Sequence, residues 1–521
     1  MDQEIRKIVI FGGGSAGWMT AAYLSKFLNL KNNPKIGITL IESPNIPSVG
    51  VGEATVPAIM TFLEDLEFPE AHWLSHCNGT IKLGIKFVNW SGKAKDDVWH
   101  YPFDQNTIQL EGYRILEWWV SQYSATGKPP FPINISPADF LMNMKKAPRH
   151  LEDPRRFSAD IGYAYHFDAS LLGEYCKKSA IGNGLQHIQD TVKGVSQNDS
   201  GEIDFLHTEK NGKLHGDLFI DCSGFRSELL ESTLKEPFIS YSDSLLCDHA
   251  VVLQIPRKSQ DLNSYTTATA LSNGWVWEIP LADRISFGYV YSSSFTNKRK
   301  AELEFRTFLG KRSDNTTSRH IKMRVGRSKR FWVKNCIAVG LSGGFIEPLE
   351  STGLLLAKIG IENILSYFPS KRSDPFLQAE YNRIMAEKYD STMDFIVLHY
   401  CTTSREDSEF WKANKHSLVI PDGVKDRLER WHNGILIRKN EHLLNSNFSG
   451  NMFGTHGHER LLTGMHYLPK KTPVSLKFHE GTEIKERIEG FQEHLSHLAS
   501  QYPSHDDFIK HLNKPQPPTA P

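Results

Sequence analysis

The stretch Lys7–Leu28, KIVIFGGGSAGWMTAAYLSKFL, decides the predicted fold. After Lys7, the four residues Ile8–Phe11 are all apolar and β-branched or aromatic, which is typical of a buried strand. The segment Trp18–Leu28 has the composition of a helix. A G-x-G-x-x-G turn joins them, and a strand, such a turn and a helix in this order form a dinucleotide-binding fingerprint.

Each glycine of this turn has its own physical reason. Gly12 permits the tight turn, Gly14 lets the backbone approach a pyrophosphate, and Gly17 lets the helix pack closely on the strand. Ser15 and Ala16 lie between them, at the N-terminus of the predicted helix, whose unpaired N–H groups and positive dipole end attract phosphates. We therefore predict that these five residues contact the cofactor.

A second predicted strand, Ile36–Ile41, ends in Glu42, which is placed to accept hydrogen bonds from a ribose. An acidic residue here favours an unphosphorylated ribose, as in FAD or NAD, over NADP. Three later segments are predicted to pack back onto this first domain: DTVKGV at 190–195, the strand Leu218–Ile220 and the strand Cys336–Gly340. In the first of them, Val192 is a predicted nucleotide contact. A pure NAD domain does not need such returns, so the pattern favours FAD.

These elements predict an α/β fold in which residues 1–373 form a Rossmann-type, hydroxylase-like FAD-binding domain with an inserted β-sheet. Residues 374–514 are expected to form a mostly helical region that covers the substrate site, and the Pro-rich residues 515–521 a disordered tail. A second G-x-G-x-x-G in a strand–turn–helix context is missing from the sequence. We therefore expect a separate NAD(P)H-dependent reductase to supply reduced flavin.

Composition excludes several classes of protein. The 521 residues carry 60 basic and 60 acidic side chains, which gives no reason to expect a nucleic-acid or anionic-membrane partner. The six cysteines are scattered without a CxxC pair, so a zinc site or disulfide framework is not indicated. No apolar run approaches about 18 residues, and the N-terminus runs straight into a strand, which leaves no room for a signal peptide. We expect a cytoplasmic enzyme.

Four segments together resemble the flavin-dependent tryptophan halogenase family, including its indole-halogenating relatives. They are GGGSAGWMTAAYL at 12–24, VGVGEATVP at 49–57, WVWEIP at 275–280 and FIEPLESTG at 345–353. The resemblance runs from about Lys7 to Lys415. It implies that reduced FAD and O2 form a flavin C4a-hydroperoxide, that chloride or bromide attacks it, and that the resulting hypohalous acid travels to a lysine beside an aromatic substrate.

The resemblance also assigns roles to individual residues. It implies that Lys82 holds the hypohalous acid and that Glu350 takes up the proton released from the substrate, with Glu347 as a local rival. The remaining assignments are backbone halide binding by Thr352 and Gly353, and flavin contacts by Val49, Gly50 and Leu354. An ordinary Ser/Thr helix cap predicts the same geometry for the halide turn.

Lys82 has a rival in Lys86, because the run TIKLGIKFVNW at 80–90 is strand-like. Strand alternation would place both lysines on one face, so periodicity alone does not separate them. Alternation also places Trp275 and Trp277 on one face. There we expect their bulk to keep the substrate away from the flavin and so to suppress direct hydroxylation.

The sequence departs from the family pattern in one of the segments that bind the substrate. His100 and Phe103 match the pair that sandwiches the indole, but His458-Glu459 stands where tryptophan-specific members carry a Tyr-Tyr pair that grips the amino-acid part. Free tryptophan is thereby in doubt, and indole, another simple aromatic, or a carrier- or peptide-linked substrate is at least as good a candidate. The resemblance also implies a homodimer. The competing functions are a flavin-dependent aromatic hydroxylase and a non-catalytic flavin-binding protein.

Overall fold

The structure is a computed structural model of the chain. It describes residues 4–33, 35–46, 52–93, 97–104, 109–110, 113–129, 136–153, 157, 159–257, 262–369, 374–435, 453, 455–471 and 482–514. The predicted flavin contacts Val49 and Gly50 and the predicted tail 515–521 lie outside these residues.

The strands, in chain order, are β1 Lys7–Phe11, β2 Gly37–Glu42, β3 Gly52–Ala54, β4 Thr80–Lys82, β5 Gly84–Val88, β6 Val98–Pro102, β7 Gln109–Leu110, β8 Tyr113–Arg114, β9 Ala164–Asp168, β10 Gln186–Gln189, β11 Val192–Gln197 and β12 Ile203–Thr208. They continue with β13 Lys213–His215, β14 Leu218–Asp221, β15 Phe238–Ser240, β16 His249–Pro256, β17 Thr266–Leu271, β18 Gly274–Pro280, β19 Arg284–Tyr291, β20 Arg319–Lys322, β21 Gly326–Ser328, β22 Trp332–Val333, β23 Cys336–Ala338 and β24 Gly344–Phe345.

The helices are α1 Ser15–Phe27, α2 Ile59–Asp65, α3 Glu70–His76, α4 Ile115–Thr126, α5 Pro137–Asn143, α6 Ala169–Gly182, α7 Lys298–Leu309, α8 Gly353–Ser366, α9 Pro375–Cys401, α10 Glu409–His416, α11 Asp422–His432, α12 Thr455–Gly464, α13 Thr482–Ser500 and α14 His505–Leu512. Among the described helices, none combines the length and the apolar character that crossing a bilayer requires.

The chain divides into two compact units that do not follow the predicted boundary at residue 373. The first unit comprises residues 1–77, 167–241 and 323–390, and the second comprises 78–166, 242–322 and 391–521. The prediction placed the boundary where the composition turns helical, but α9 runs without interruption from Pro375 to Cys401. Its first part therefore belongs to one unit and its last part to the other.

The first unit is built on a six-stranded sheet in the order β10-β2-β1-β14-β23-β22, parallel except for its last pair. Ile8, Val9 and Ile10 of β1 are buried because a parallel sheet of this kind is covered on both faces. Two small three-stranded sheets, β11-β12-β13 and β15-β21-β24, complete the strands that pair within this unit. The predicted Rossmann-type domain is confirmed.

The second unit contains a seven-stranded sheet in the order β20-β16-β19-β18-β17-β5-β6. Its strands pair antiparallel except for β17 and β5, which run parallel. This is the predicted inserted sheet, and α7 packs its buried Phe305 and Leu309 into the apolar cluster on one face. The predicted helical character of the C-terminal region is confirmed by α9 to α14.

Candidate active site

The glycine turn after β1 has the geometry of a pyrophosphate cradle. Gly12 has φ of 115°, and a Cβ there would lie 2.3 Å from the carbonyl oxygen of Cys222. A Cβ on Gly17 would lie 1.9 Å from the carbonyl oxygen of Gly12. A Cβ on Gly14 would meet no described atom within 4 Å, and no side chain caps the helix that starts at Ser15. The turn therefore fits a dinucleotide, because there is space at Gly14 and a helix N-terminus without a side-chain cap suits a phosphate.

The turns after β14 and β23 meet this first glycine turn. The N–H of Gly224 donates to Oγ of Ser342 over 3.1 Å. Gly340 has φ of 69°, and a Cβ on it would lie 2.7 Å from Cβ of Ala16. Ligands of open α/β sheets bind at the carboxyl ends of the strands, which is where these turns converge.

Glu42, predicted to bind a ribose, lies directly beside the glycine turn. A Cβ on Gly13 would sit 1.6 Å from its Oε2. Its Oε1 accepts hydrogen bonds from Lys177 over 3.2 Å and from Nε2 of His187 over 2.9 Å. The Lys177 ammonium also lies 5.0 Å from the centroid of the Trp18 ring. The carboxylate is thus held in place beside the turn by two neighbours that the sequence analysis missed.

Val192, the other predicted nucleotide contact in this unit, is the first residue of β11. Its side chain is partly buried and packs against the apolar cluster that contains Val9 and Phe219. The side chain therefore serves the core, and a backbone contact with the cofactor stays a prediction.

The predicted halide-binding residues form a turn whose backbone is suited to an anion. A single 3-10 turn, Pro348–Glu350, leads to Ser351 in the left-handed region with φ of 60°, and α8 begins at Gly353. Left-handed and right-handed residues in succession direct consecutive N–H groups toward one point. The side chain of Thr352 makes no capping bond, which differs from an ordinary Ser/Thr cap. A Cβ on Gly353 would meet no described atom within 4 Å.

Glu347 and Glu350 both precede Ser351 of this turn, and both side chains are almost completely buried. Their exposed fractions are 0% and 1%, so burial does not separate the two candidates for proton uptake. Leu354, the predicted flavin neighbour, is the second residue of α8 and is largely buried.

Lys82 and Lys86 do not share a strand, so the prediction from alternation is wrong. The run breaks at Leu83, where the backbone bonds to Ser264 and Phe103. Lys82 ends β4, which pairs with β9, while Lys86 lies in β5 of the seven-stranded sheet. Lys82 is 0% exposed, which only a lysine with a specific role or partner tolerates, whereas Lys86 is half-buried.

Each lysine lies over a different aromatic ring. Nζ of Lys82 is 5.0 Å from the ring centroid of Phe103, and Nζ of Lys86 is 5.8 Å from that of Tyr265. Lys82 and the predicted substrate-binding Phe103 are therefore brought together. Tyr265 was missed, and no local pattern in the sequence signals it.

His100, the other half of the predicted sandwich, rests on a buried ion pair that sequence reasoning also missed. Its Nδ1 lies 3.7 Å from Oδ1 of Asp139, and Arg460 contacts the same Oδ1 at 2.6 Å. Nε of Arg460 also donates to the backbone oxygen of His100 over 2.8 Å. Burial alone would raise the pKa of Asp139, but Arg460 and His100 lower it, so the carboxyl stays ionised.

His458 and Glu459, which replace the expected Tyr-Tyr pair, lie in α12 and are 0% and 1% exposed. The helix therefore buries His458 instead of leaving it in a solvated loop. Within the described ranges, no group of three or more metal-ligating side chains is arranged to hold a metal ion.

Trp275 and Trp277 lie in β18 with their ring centroids 6.3 Å apart, and both are buried. The Trp277 ring covers Gly288 of the neighbouring strand, where a Cβ would lie 2.0 Å from Cζ2 of the indole. The absence of a side chain at Gly288 therefore makes room for this indole. A steric role for the two rings stays a prediction.

The first unit, with its parallel sheet, open glycine turn and fixed acid after the second strand, defines a dinucleotide-binding enzyme fold of the FAD type. A family model described as tryptophan halogenase matches residues 7–478. The chain belongs to the tryptophan halogenase family.

Individual relatives agree with this assignment. A tryptophan 6-halogenase from Streptomyces toxytricini is 38% identical over 82% of this chain and 83% of its own, and a tryptophan 7-halogenase from Lentzea aerocolonigenes is 33% identical over 98% and 99%. The crystal structure of the former superposes with a TM-score of 0.87, at 34% identity, over 97% of this chain and 100% of that one. A flavin-dependent halogenase from Xanthomonas campestris gives 0.87 at 31% identity, over 99% and 100%.

The predicted enzyme class is therefore confirmed. The chain is a flavin-dependent halogenase that uses FADH2, O2 and a halide ion to halogenate an aromatic substrate, with a separate flavin reductase supplying the reduced flavin.

Proposed function

We propose that this halogenase acts on a small indole-like aromatic, with hypohalous acid held at Lys82 and the substrate proton taken up by Glu350. Reduced FAD and O2, when bound, supply the oxidation that converts the halide into hypohalous acid. Gly14 lets the pyrophosphate approach a turn that Gly12 and Gly17 shape, and Glu42 binds the ribose. The single observation that carries the proposal is the complete burial of Lys82 beside Phe103.

Thr352 and Gly353 hold the halide through their backbone N–H groups. The N–H of Ser351 already donates to the carbonyl oxygen of Pro348 over 3.1 Å, which fixes the turn. The first N–H groups of a helix have no partner inside the helix, and its positive dipole end favours an anion. The left-handed Ser351 supports this role, because a left-handed residue beside a right-handed one directs consecutive N–H groups toward one point.

Lys82 is completely buried, and its ammonium lies beside the ring of Phe103. There the ammonium can hydrogen-bond the hypohalous oxygen and polarise the halogen toward the ring. Alternatively, the neutral amine attacks the halogen, forms a haloamine with release of water, and passes the halogen on to the ring. Water is excluded at this position, which protects the hypohalous acid from escaping or reacting elsewhere. Lys86, half-buried in a different sheet, does not offer the same setting.

Glu350 accepts the proton released when the ring regains aromaticity. Glu347 is buried to the same extent, and the preference for Glu350 rests on the family pattern in EPLESTG. Glu350 directly precedes the halide turn, so one short segment supplies both the base and the anion site.

His100 and Phe103 form the aromatic slot, and the ion pair of Asp139 and Arg460 keeps His100 in place. The relatives are named for tryptophan, which makes free tryptophan the main competing substrate. His458 and Glu459 argue against it, because neither residue supplies the phenol groups that grip the amino-acid part, and both are buried. We therefore favour an indole-like ring without a free amino-acid group.

The test is turnover with reduced FAD, O2 and either indole or tryptophan, with and without bromide. We expect brominated indole at a higher rate than brominated tryptophan, and no ring oxidation without bromide. A hydroxylated product that forms independently of halide would identify a hydroxylase, and faster turnover of tryptophan would overturn the substrate proposal. Flavin binding without any product would indicate a non-catalytic protein.

The location and assembly that we favour are a cytoplasmic enzyme and a homodimer. The described cysteines are all free thiols, five of them buried, which suits a reducing compartment. The homodimer comes from the family alone and is tested by light scattering.

A further inference from the structure

The short strand that ends in Lys82 is held by two buried histidines outside the predicted site. His166 lies opposite Thr80 in the pairing of β4 with β9, and it is 0% exposed. Oγ1 of Thr80 donates its only proton to the carbonyl oxygen of Pro280 over 2.6 Å. The contact of 3.1 Å between that hydroxyl and Nδ1 of His166 therefore requires an N–H on Nδ1.

The second ring nitrogen of His166 reaches another sheet. Its Nε2 lies 2.9 Å from Oγ1 of Thr266, the first residue of β17. In the neutral ring Nε2 has no proton and accepts from this hydroxyl. His166 thus links the strand that carries Lys82 to the seven-stranded sheet, and both of its nitrogens are engaged.

His505, at the start of α14, holds the same strand from another direction. The backbone N–H of Ile81 donates to its Nε2 over 2.9 Å, so the ring proton is on Nδ1, which lies 3.1 Å from the carbonyl oxygen of Asn263. This histidine is also 0% exposed. A side-chain contact or a strand pairing therefore fixes every residue of β4, which ends just before Leu83.

Both imidazoles stay neutral next to the lysine. Burial, and then the charge of Lys82 and the nearby His505, hold the pKa of His166 well below its usual value. Burial lowers the pKa of His505 to about 4 although its backbone bonds oppose that change. Lys82 lies two residues from Thr80 on the same face of the strand, so a charged His166 would repel its ammonium.

We propose that His166 and His505 are positioning residues, uncharged imidazoles that lock β4 so that Lys82 meets hypohalous acid and substrate together. The proposal rests on the proposed role of Lys82. Its consequence concerns the coupling of O2 consumption to product formation. With the strand loosened, halide oxidation continues, but hypohalous acid escapes before it reaches the ring.

The test measures coupling in the full-length enzyme with reduced FAD, indole and bromide. Three quantities are followed per O2 consumed: bromoindole, hypobromous acid captured by a diketone trap, and hydrogen peroxide. We expect His166→Leu and Thr266→Val to consume O2 as the parent enzyme does, but to yield about tenfold less bromoindole, with the missing halogen found in the trap. His166→Gln, which keeps a donor and an acceptor without a titratable ring, should restore most of the coupling.

Several results would overturn the proposal. Unchanged coupling in His166→Leu and Thr266→Val would do so, and so would equal losses in the Gln and Leu variants. Loss of O2 consumption together with product in all of them would mean that the histidines only support folding. The control is His320→Gln. His320 lies on the edge strand β20, is partly buried and pairs with Glu302, and its substitution should leave coupling unchanged.

Lys82→Ala in the same assay separates this proposal from the one on which it rests. If Lys82→Ala still brominates indole, the proposed function fails. If Lys82→Ala loses bromoindole while His166→Leu remains coupled, only the positioning role fails.

Discussion

The backbone N–H of Ile81 donates a hydrogen bond to Nε2 of His505, 424 residues further along the chain, over 2.9 Å. The bond requires a neutral imidazole, because a protonated ring has no acceptor at Nε2. A residue near the C-terminus thereby fixes the strand that carries Lys82. The C-terminal region thus also supports the position of the candidate catalytic lysine.

The first prediction concerns pH. Burial holds the pKa of His505 at about 4, below the ordinary value of about 6.5 for the unfolded chain. Above pH 6.5 both states are neutral, and between 6.5 and 4 only the unfolded state takes up the proton, so stability is lost as the pH falls through this window. We expect the parent protein to lose about 2 kcal/mol more than His505→Gln between pH 7.5 and 4.5.

Urea denaturation at both pH values measures this difference. The charged groups Asp506 and Arg257 and the buried His166 surround His505 and remain in both proteins, so their contributions largely cancel. An equal pH dependence of the parent and the variant would contradict the neutral state of His505.

The second prediction contrasts two glycines of the cofactor turn. A Cβ on Gly14 meets no described atom, so Gly14→Ala should leave stability unchanged and weaken FAD binding by about tenfold, which is about 1.4 kcal/mol. A Cβ on Gly17 would clash with the backbone of Gly12, so Gly17→Ala should destabilise the fold by about 1–3 kcal/mol. Flavin titration and thermal unfolding measure the two effects, and tight FAD binding by Gly14→Ala would show that the pyrophosphate binds elsewhere.

The third prediction concerns Lys177, which bonds the carboxylate of Glu42 beside the glycine turn. Without this cation, Glu42 would repel the pyrophosphate, so Lys177→Met should weaken FAD binding about threefold to tenfold at low salt. The difference should shrink at high salt, because ions screen the repulsion. Lys178→Met removes the same charge from an exposed position of the same helix and serves as the control. Equal effects of the two variants would exclude a local role for Lys177.

The cofactor half of the molecule was predictable from sequence, because its signals are local. A strand, three spaced glycines and an acid are read within 36 residues of chain, from Lys7 to Glu42, and the structure has β1, α1 and β2 at those positions. The apparent strand through Lys82 and Lys86 failed for the opposite reason. The N–H of Leu83 donates to the carbonyl oxygen of Ser264, and its own carbonyl oxygen accepts from the N–H of Phe103. These two bonds split the run at Leu83, and no pattern within the run signals such distant partners.

The residues that position the site were missed for the same physical reason. His166 and His505 come together only through folding, and so do His100, Asp139 and Arg460. A buried polar network leaves no periodic trace in a sequence, whereas helices, strands and glycine turns do.

The fourth prediction concerns the ion pair beneath His100. Asp139 is 0% exposed and holds Arg460 at 2.6 Å, so Asp139→Ala leaves a buried guanidinium without its carboxylate. We expect a loss of about 3–5 kcal/mol in the free energy of unfolding. The paired variant Asp139→Ala/Arg460→Met should recover part of it, because both charges are then gone. The single variants Asp139→Ala and Arg460→Met each lose some stability. If the double variant loses as much as the sum of these two losses, the ion pair is not the source of the effect.

The central claim is that Lys82, and not Lys86, carries the halogen transfer, and single-turnover bromination of indole with preloaded reduced FAD tests it most directly. We predict that Lys82→Ala binds FAD as the parent does and forms bromoindole at least about 100-fold more slowly, which is about 2.7 kcal/mol of barrier. Lys86→Ala should stay within about threefold of the parent. Bromination by Lys82→Ala at close to the parent rate would contradict the account.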